Sequence, residues 1–119
     1  MDWTFREDQP IYTQLITRLS EGIAAGVYAP GERLPAVREL ALDAGVNPNT
    51  VQRALAELER EGLVYSQRTS GRFVTEDTVR IAKLRRGMAE ERIREFFAAM
   101  RQLGCTREEI VSLLKEELQ

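Results

Sequence analysis

A chain of 119 residues with 43% hydrophobic content has room for one ordinary domain, or for a small domain with an appendage, and is not a disordered polymer. The formal charge of −2 excludes the bulk basic character of a non-specific nucleic-acid binder, yet positive charge gathers locally: residues 62 to 75 hold Arg68 and Arg72 and no acid, and residues 44 to 56 hold Arg53 and no acid. The single cysteine, Cys105, excludes an internal disulfide and fits a reducing compartment; with no basic-apolar leader and no apolar run of membrane-spanning length, a cytoplasmic chain without a membrane partner is expected.

Met1 to Gln9 reads as a short extended lead-in whose Trp3 and Phe5 anchor it to the body. Pro10 opens a first helix, in which Ile11, Leu15, Ile16, Leu19 and Ile23 form one apolar stripe ending at Gly26. Pro30-Gly31 is a turn pair, and Arg33-Leu34 fits a single short strand before Pro35. A second helix follows, with Val37, Leu40, Ala41 and Ala44 inward, Arg38 outward, Glu39 near the positive end of the dipole, and Gly45 as its stop.

The stretch GVNPNTVQRALAELEREG, from Gly45 to Gly62, predicts a third helix. Asn47 offers a capping oxygen, Pro48 suits the first helical position, and Gly62 supplies the left-handed terminus. Val51, Ala54, Leu55 and Leu58 share the core face. The opposite face carries Asn49, Gln52, Arg53 and Ala56, with Thr50 at its flank and no carboxylate before Glu57. Amides, a hydroxyl and a guanidinium pair with base edges and phosphates, so this is read as a recognition helix. Two short helices separated by Gly45-Val46 and Asn47 make a helix-turn-helix. Leu63, Val64 and Tyr65 then begin a strand, Arg68 to Gly71 is a turn, and Arg72, Phe73 and Val74 return. This hairpin is the wing, and its arginines lie where a wing approaches the phosphate backbone or the minor groove.

Past Thr75 the pattern changes. Asp77 or Thr78 caps a long helix with Ile81, Leu84, Met88, Ile93, Phe96, Phe97, Met100 and Leu103 recurring at spacings of three to five, ending at Gly104. Thr106 and Glu109 form a capping box that starts a last helix with Ile110, Val111, Leu113, Leu114 and Leu118. A helical hairpin cannot bury all of these stripes, so a second copy of the chain is expected to cover Leu84, Met88, Phe96, Phe97, Met100, Leu113 and Leu114. Use of Phe96, Phe97 and Met100 as dimer core is favoured over a ligand pocket, and no effector is assigned. The expected architecture is mainly helical with a small β-hairpin: a winged helix-turn-helix over residues 1–75, then a two-helix dimerisation tail over 76–119.

Bland readings compete at several positions. Arg53 is equally a solvated arginine paired with Glu57, four residues on, or a phosphate contact. Arg38 serves DNA or a neighbouring helix end, and Arg68 and Arg72 either contact phosphate or keep an exposed hairpin soluble. Without histidine or a second cysteine, a transition-metal site lacks its usual ligands and Cys105 lacks a base. No cofactor, metal or catalytic activity is expected. A winged-helix module that binds protein is the alternative function, and an acidic face on the third helix would have favoured it. The face here is uncharged to basic.

The segments PIYTQL, PGERLPAVRELA and NTVQRALAELEREGLVYSQRTSGRFV, in this order and spacing, resemble the DNA-binding domain of the GntR family of bacterial transcriptional regulators over roughly residues 9 to 75. The short two-helix tail is similar to that of the YtrA subfamily, whose members are dimeric repressors often encoded beside ATP-driven transporters. The resemblance implies double-stranded operator DNA and a second copy of the chain as partners. It aligns Arg38 with the family's DNA-contacting arginine of the second helix, Asn47, Asn49, Thr50 and Gln52 with contact positions of the recognition helix, and Gly71 with the wing-tip glycine. Thr69, Ser70, Gly71 and Arg72 depart from the family's Gly-Lys-Gly-Thr wing tip, Ala36 replaces a capping serine, and Pro48 stands where some relatives have arginine.

Overall fold

The computed structural model describes residues 1–119. Its elements run α1 (Ile11–Ala24), α2 (Val37–Ala44), α3 (Pro48–Arg60), β1 (Val64–Gln67), β2 (Gly71–Val74), α4 (Thr78–Gln102) and α5 (Arg107–Glu117). They divide into two compact units, Met1–Arg85 and Arg86–Gln119, so the first turns of α4 belong with the helix-turn-helix.

The first unit closes around one core. Leu15, Leu19 and Ile23 of α1 meet Leu40 and Ala41 of α2, and Val51, Ala54, Leu55 and Leu58 of α3. Leu63, Val64, Val74 and Ile81 complete it from the hairpin and from α4. Full burial of such side chains is worth about 1.5–3 kcal/mol each, more than the local propensities that shape these short helices. Leu84, expected to meet a second chain, is half-buried and packs against this core. The stripe of α4 is continuous in sequence, but its first turns already have a partner in their own unit.

Pro10 gives α1 no side-chain cap, and the Gln14 side chain instead ties the residues before the helix to its first turn. Its Oε1 accepts from the Arg6 N–H at 2.7 Å, while its Nε2 donates to the carbonyls of Arg6 and Gln9 at 2.8 and 2.9 Å. The lead-in is thereby latched to the helix. Trp3 and Phe5 stack with centroids 6.1 Å apart against the core, and the Trp3 Nε1–H donates to Asp43 of α2 at 2.9 Å. Both aromatics thus act as the expected anchor.

Ala36 gives α2 no side-chain cap. At the far end Gly45 turns the chain with φ of 68°, a left-handed conformation that costs residues with a Cβ about 1–2 kcal/mol. The hairpin pairs Val64 with Val74, Tyr65 with Phe73, Ser66 with Arg72 and Gln67 with Gly71. The expected single strand at Arg33-Leu34 is a one-residue bridge from Arg33 to Phe73 on the free edge of β2. There the Leu34 N–H donates to the Arg72 carbonyl and the Val74 N–H to the Glu32 carbonyl, both at 2.9 Å.

The second unit contains the rest of α4 and all of α5. Asp77, just before α4, accepts from the Arg80 N–H at 3.1 Å, one of the two caps expected there. Thr106 and Glu109 exchange both hydrogen bonds of a capping box. Ile110 is 1% exposed, whereas Phe96 and Leu113 stay 40% and 48% exposed, and Met88, Phe97, Met100 and Leu114 are half-buried. No helix is long and apolar enough to cross a membrane.

Candidate nucleic-acid interface

The buried face of α3 dictates what its other face presents. With Val51, Ala54, Leu55 and Leu58 in the core, Asn49, Gln52, Arg53 and Ala56 are exposed and Thr50 is half-buried at their edge. The helix start is rigid: the Asn47 Oδ1 accepts from the Asn49 N–H at 2.8 Å, and the Asn47 carbonyl accepts from Thr50 and Val51. Asn47 itself is exposed beside the turn, and Arg38, on the outer side of α2, is exposed with no hydrogen bond or ion pair.

Arg53 does not pair with Glu57. Its guanidinium lies over the ring of Tyr12, 4.3 Å from the centroid, a cation–π contact between α3 and α1. Glu57 instead binds Arg60 one turn on, and that hydrogen bond and charge hold the Arg60 guanidinium above its ordinary range. The side-chain acids of α3 thus sit in its second half, and the first half carries only neutral polar groups and Arg53.

The wing brings its base to the same helix. Arg72 is folded back, its side chain 21% exposed; Nη1 donates to the Gln52 Oε1 at 3.2 Å, and Nε lies 3.5 Å from the Glu59 Oε1, close enough for an ion pair but without hydrogen-bond geometry. The Ser66 hydroxyl, opposite Arg72 in the hairpin, donates to the same Glu59 oxygen at 2.6 Å. Arg68 stands exposed in the turn with no partner. Gly71 has φ of 101°, and a Cβ there would sit 3.2 Å from the Arg33 Nε. Tyr65 and Phe73 stack beneath the hairpin at 5.7 Å.

The structure thus gathers Asn47, Asn49, Thr50, Gln52 and Arg53 on one helix start, and places Arg72 against Gln52. Arg68 and Gly71 lie exposed in the wing and Arg38 on α2, none with a side-chain bond to this surface. Sequence reasoning missed Tyr12, Glu59, Ser66 and Arg33. Tyr12 and Arg33 are far in sequence from what they touch, and Ser66 is visible only through the hairpin register.

A helix-turn-helix whose second helix exposes amides, a hydroxyl and an arginine beside an arginine-bearing two-stranded wing defines a winged-helix DNA-binding protein. Residues 11–74 match the family model described as "Bacterial regulatory proteins, gntR family". The chain belongs to the GntR family and is a DNA-binding transcriptional regulator, not an enzyme. It is 34% identical over 112 residues to the HTH-type transcriptional repressor YtrA of Bacillus subtilis, covering 93% of this chain and 86% of that protein. A GntR family transcriptional regulator from Listeria monocytogenes superimposes with a TM-score of 0.85 at 38% identity, over 94% of this chain and 98% of the other. The DNA-binding domain of AraR, solved in complex with operator ORR3, is similar over 63% of this chain and 88% of its own, with 31% identity and a TM-score of 0.54.

Proposed function

We propose that this regulator is a homodimeric repressor that occupies an inverted-repeat operator, with residues 1–75 binding DNA and the tail from residue 76 joining the two copies. The observation that carries the reading is the first half of α3, exposed, capped, and free of carboxylates, with the wing base beside it. Asn49, Thr50 and Gln52 meet base edges in the major groove, and Arg38, Asn47, Arg53 and Arg68 meet the phosphate backbone. Gly71 lets the wing tip approach DNA closely, and Arg72 joins the reading surface through Gln52. The partly exposed Phe96 and Leu113, with Met88, Phe97, Met100 and Leu114, supply the apolar surface for the second copy. Likeness to the repressor YtrA supports repression, and transporter genes are the first targets to test on the resemblance of the tail.

Footprinting the purified protein on the DNA upstream of its own gene tests this. Two protected half-sites about 10 bp apart, or a multiple of that, are expected. Affinity should fall on the order of a thousandfold between 50 and 200 mM salt if about six phosphates are engaged. A single unsymmetrical footprint would overturn the dimer, and salt-independent binding would overturn the phosphate contacts.

A further inference from the structure

Arginine carries N–H donors and no acceptor, so the Gln52 amide atom that faces Arg72 at 3.2 Å is the oxygen. The Gln52 nitrogen, on an exposed residue, makes no hydrogen bond within the chain and is left to donate. Glutamine alone reads adenine by using both ends of its amide: nitrogen to N7 and oxygen from the N6 amino group. Here one of the oxygen's two lone pairs already accepts from a guanidinium, and an incoming N6 donor would have to reach the other beside Arg72, which meets it with like polarity. What the pair offers is donors side by side, and guanine presents two acceptors, N7 and O6, on its major-groove edge.

We infer that Gln52 and Arg72 form one reading unit that selects guanine over adenine in each half-site. Glu59 and Ser66 are positioning residues for it. The Glu59 carboxylate lies 3.5 Å from the Arg72 Nε and is itself held by the Ser66 hydroxyl at 2.6 Å. The Arg72 backbone is fixed on both sides, by pairing with Ser66 and by the Leu34 N–H on its carbonyl. Base choice on α3 is therefore set partly from the wing, by residues that need not touch the base. This inference rests on the DNA reading above and sharpens it.

The test is selection from a randomised duplex library with the full chain, as wild type, Gln52→Ala, Arg72→Met and Glu59→Gln. The position read by Gln52 is the one that loses its preference in Gln52→Ala. Wild type should favour guanine over adenine there by at least roughly fivefold. Arg72→Met, which keeps the apolar stem and removes every donor, should move that preference to adenine and leave the other positions unchanged. Glu59→Gln should give an intermediate ratio at the same position. Adenine selected by wild type, or an Arg72→Met protein that keeps its guanine preference while binding all sequences equally more weakly, overturns the inference and leaves the DNA reading standing. A wild-type protein that enriches no motif overturns both. Should Arg72→Met lack the native far-UV circular dichroism, Glu59→Gln decides: a ratio moved toward adenine supports the unit, and an unmoved ratio overturns it.

Discussion

Replacing Gly45 by alanine isolates the backbone demand of the helix-turn-helix. A Cβ at this glycine meets nothing within 4 Å, so no steric clash confounds the change. The cost is conformational: φ of 68° is penalised by about 1–2 kcal/mol for an L side chain, and the stiffer unfolded chain returns part of that, leaving a net loss of about 1 kcal/mol. In a unit the size of Met1–Arg85 this lowers the melting temperature by roughly 4–8 °C. Gly87, inside α4, also has open space around a built Cβ but carries no left-handed backbone. There the same substitution should stabilise by about 0.5–1 kcal/mol. Thermal unfolding of both variants, followed by circular dichroism, checks the pair. A Gly45→Ala protein as stable as wild type would refute the claim that the turn needs a left-handed residue, whatever Gly87→Ala does.

Other outcomes follow from the same contacts. Leu58→Ala empties a fully buried site and should cost about 2–5 kcal/mol, seen as a lowered urea midpoint and a loss of DNA binding in step with folding. Leu113→Asp, which puts a charge on the apolar surface proposed to join two copies, should give a monomer by sedimentation equilibrium and much weaker operator binding, with the melting of the winged unit unchanged. The N–H of Thr106, and then its hydroxyl, hold the Glu109 carboxylate below the usual carboxylate range. Its contribution to α5 is therefore present above the unfolded-state pKa and lost as pH falls through the lower folded-state value. Helicity followed on acidification should show this loss in wild type; Glu109→Gln should lack that component, and Thr106→Ala, which keeps the backbone N–H and removes only the hydroxyl, should reduce it.

Features set by near neighbours in the chain were legible: Asn47 and Pro48 at the start of α3, the Thr106–Glu109 box and the Gly45 stop all answer to partners within a few residues, and the core face of α3 shows in the helical spacing of its own apolar residues. What the spacing could not show has tertiary causes. Arg53 and Glu57 have the spacing of an ion pair, but Glu57 finds Arg60 and Arg53 finds the Tyr12 ring, 41 positions back along the chain. Leu84 continues the stripe of Met88 and Phe97, and nothing in its spacing says that the core of the first unit ends between them. Arg72 alternates like any outward wing residue. Only the approach of Glu59 and Gln52 turns it back onto α3.

The bridge from Arg33 to β2 has a consequence for how the hairpin can be rebuilt. Because the Leu34 and Val74 amides bond across that edge, β2 is held from both sides and is not a loose flap. Extra residues should be accepted at Thr69-Ser70, where the backbone is exposed and makes only the bond from Ser70 to the Gln67 carbonyl. One residue inserted between Arg72 and Val74 would slip the ladder, swap which side chains face inward, and detach the segment that leads into α2.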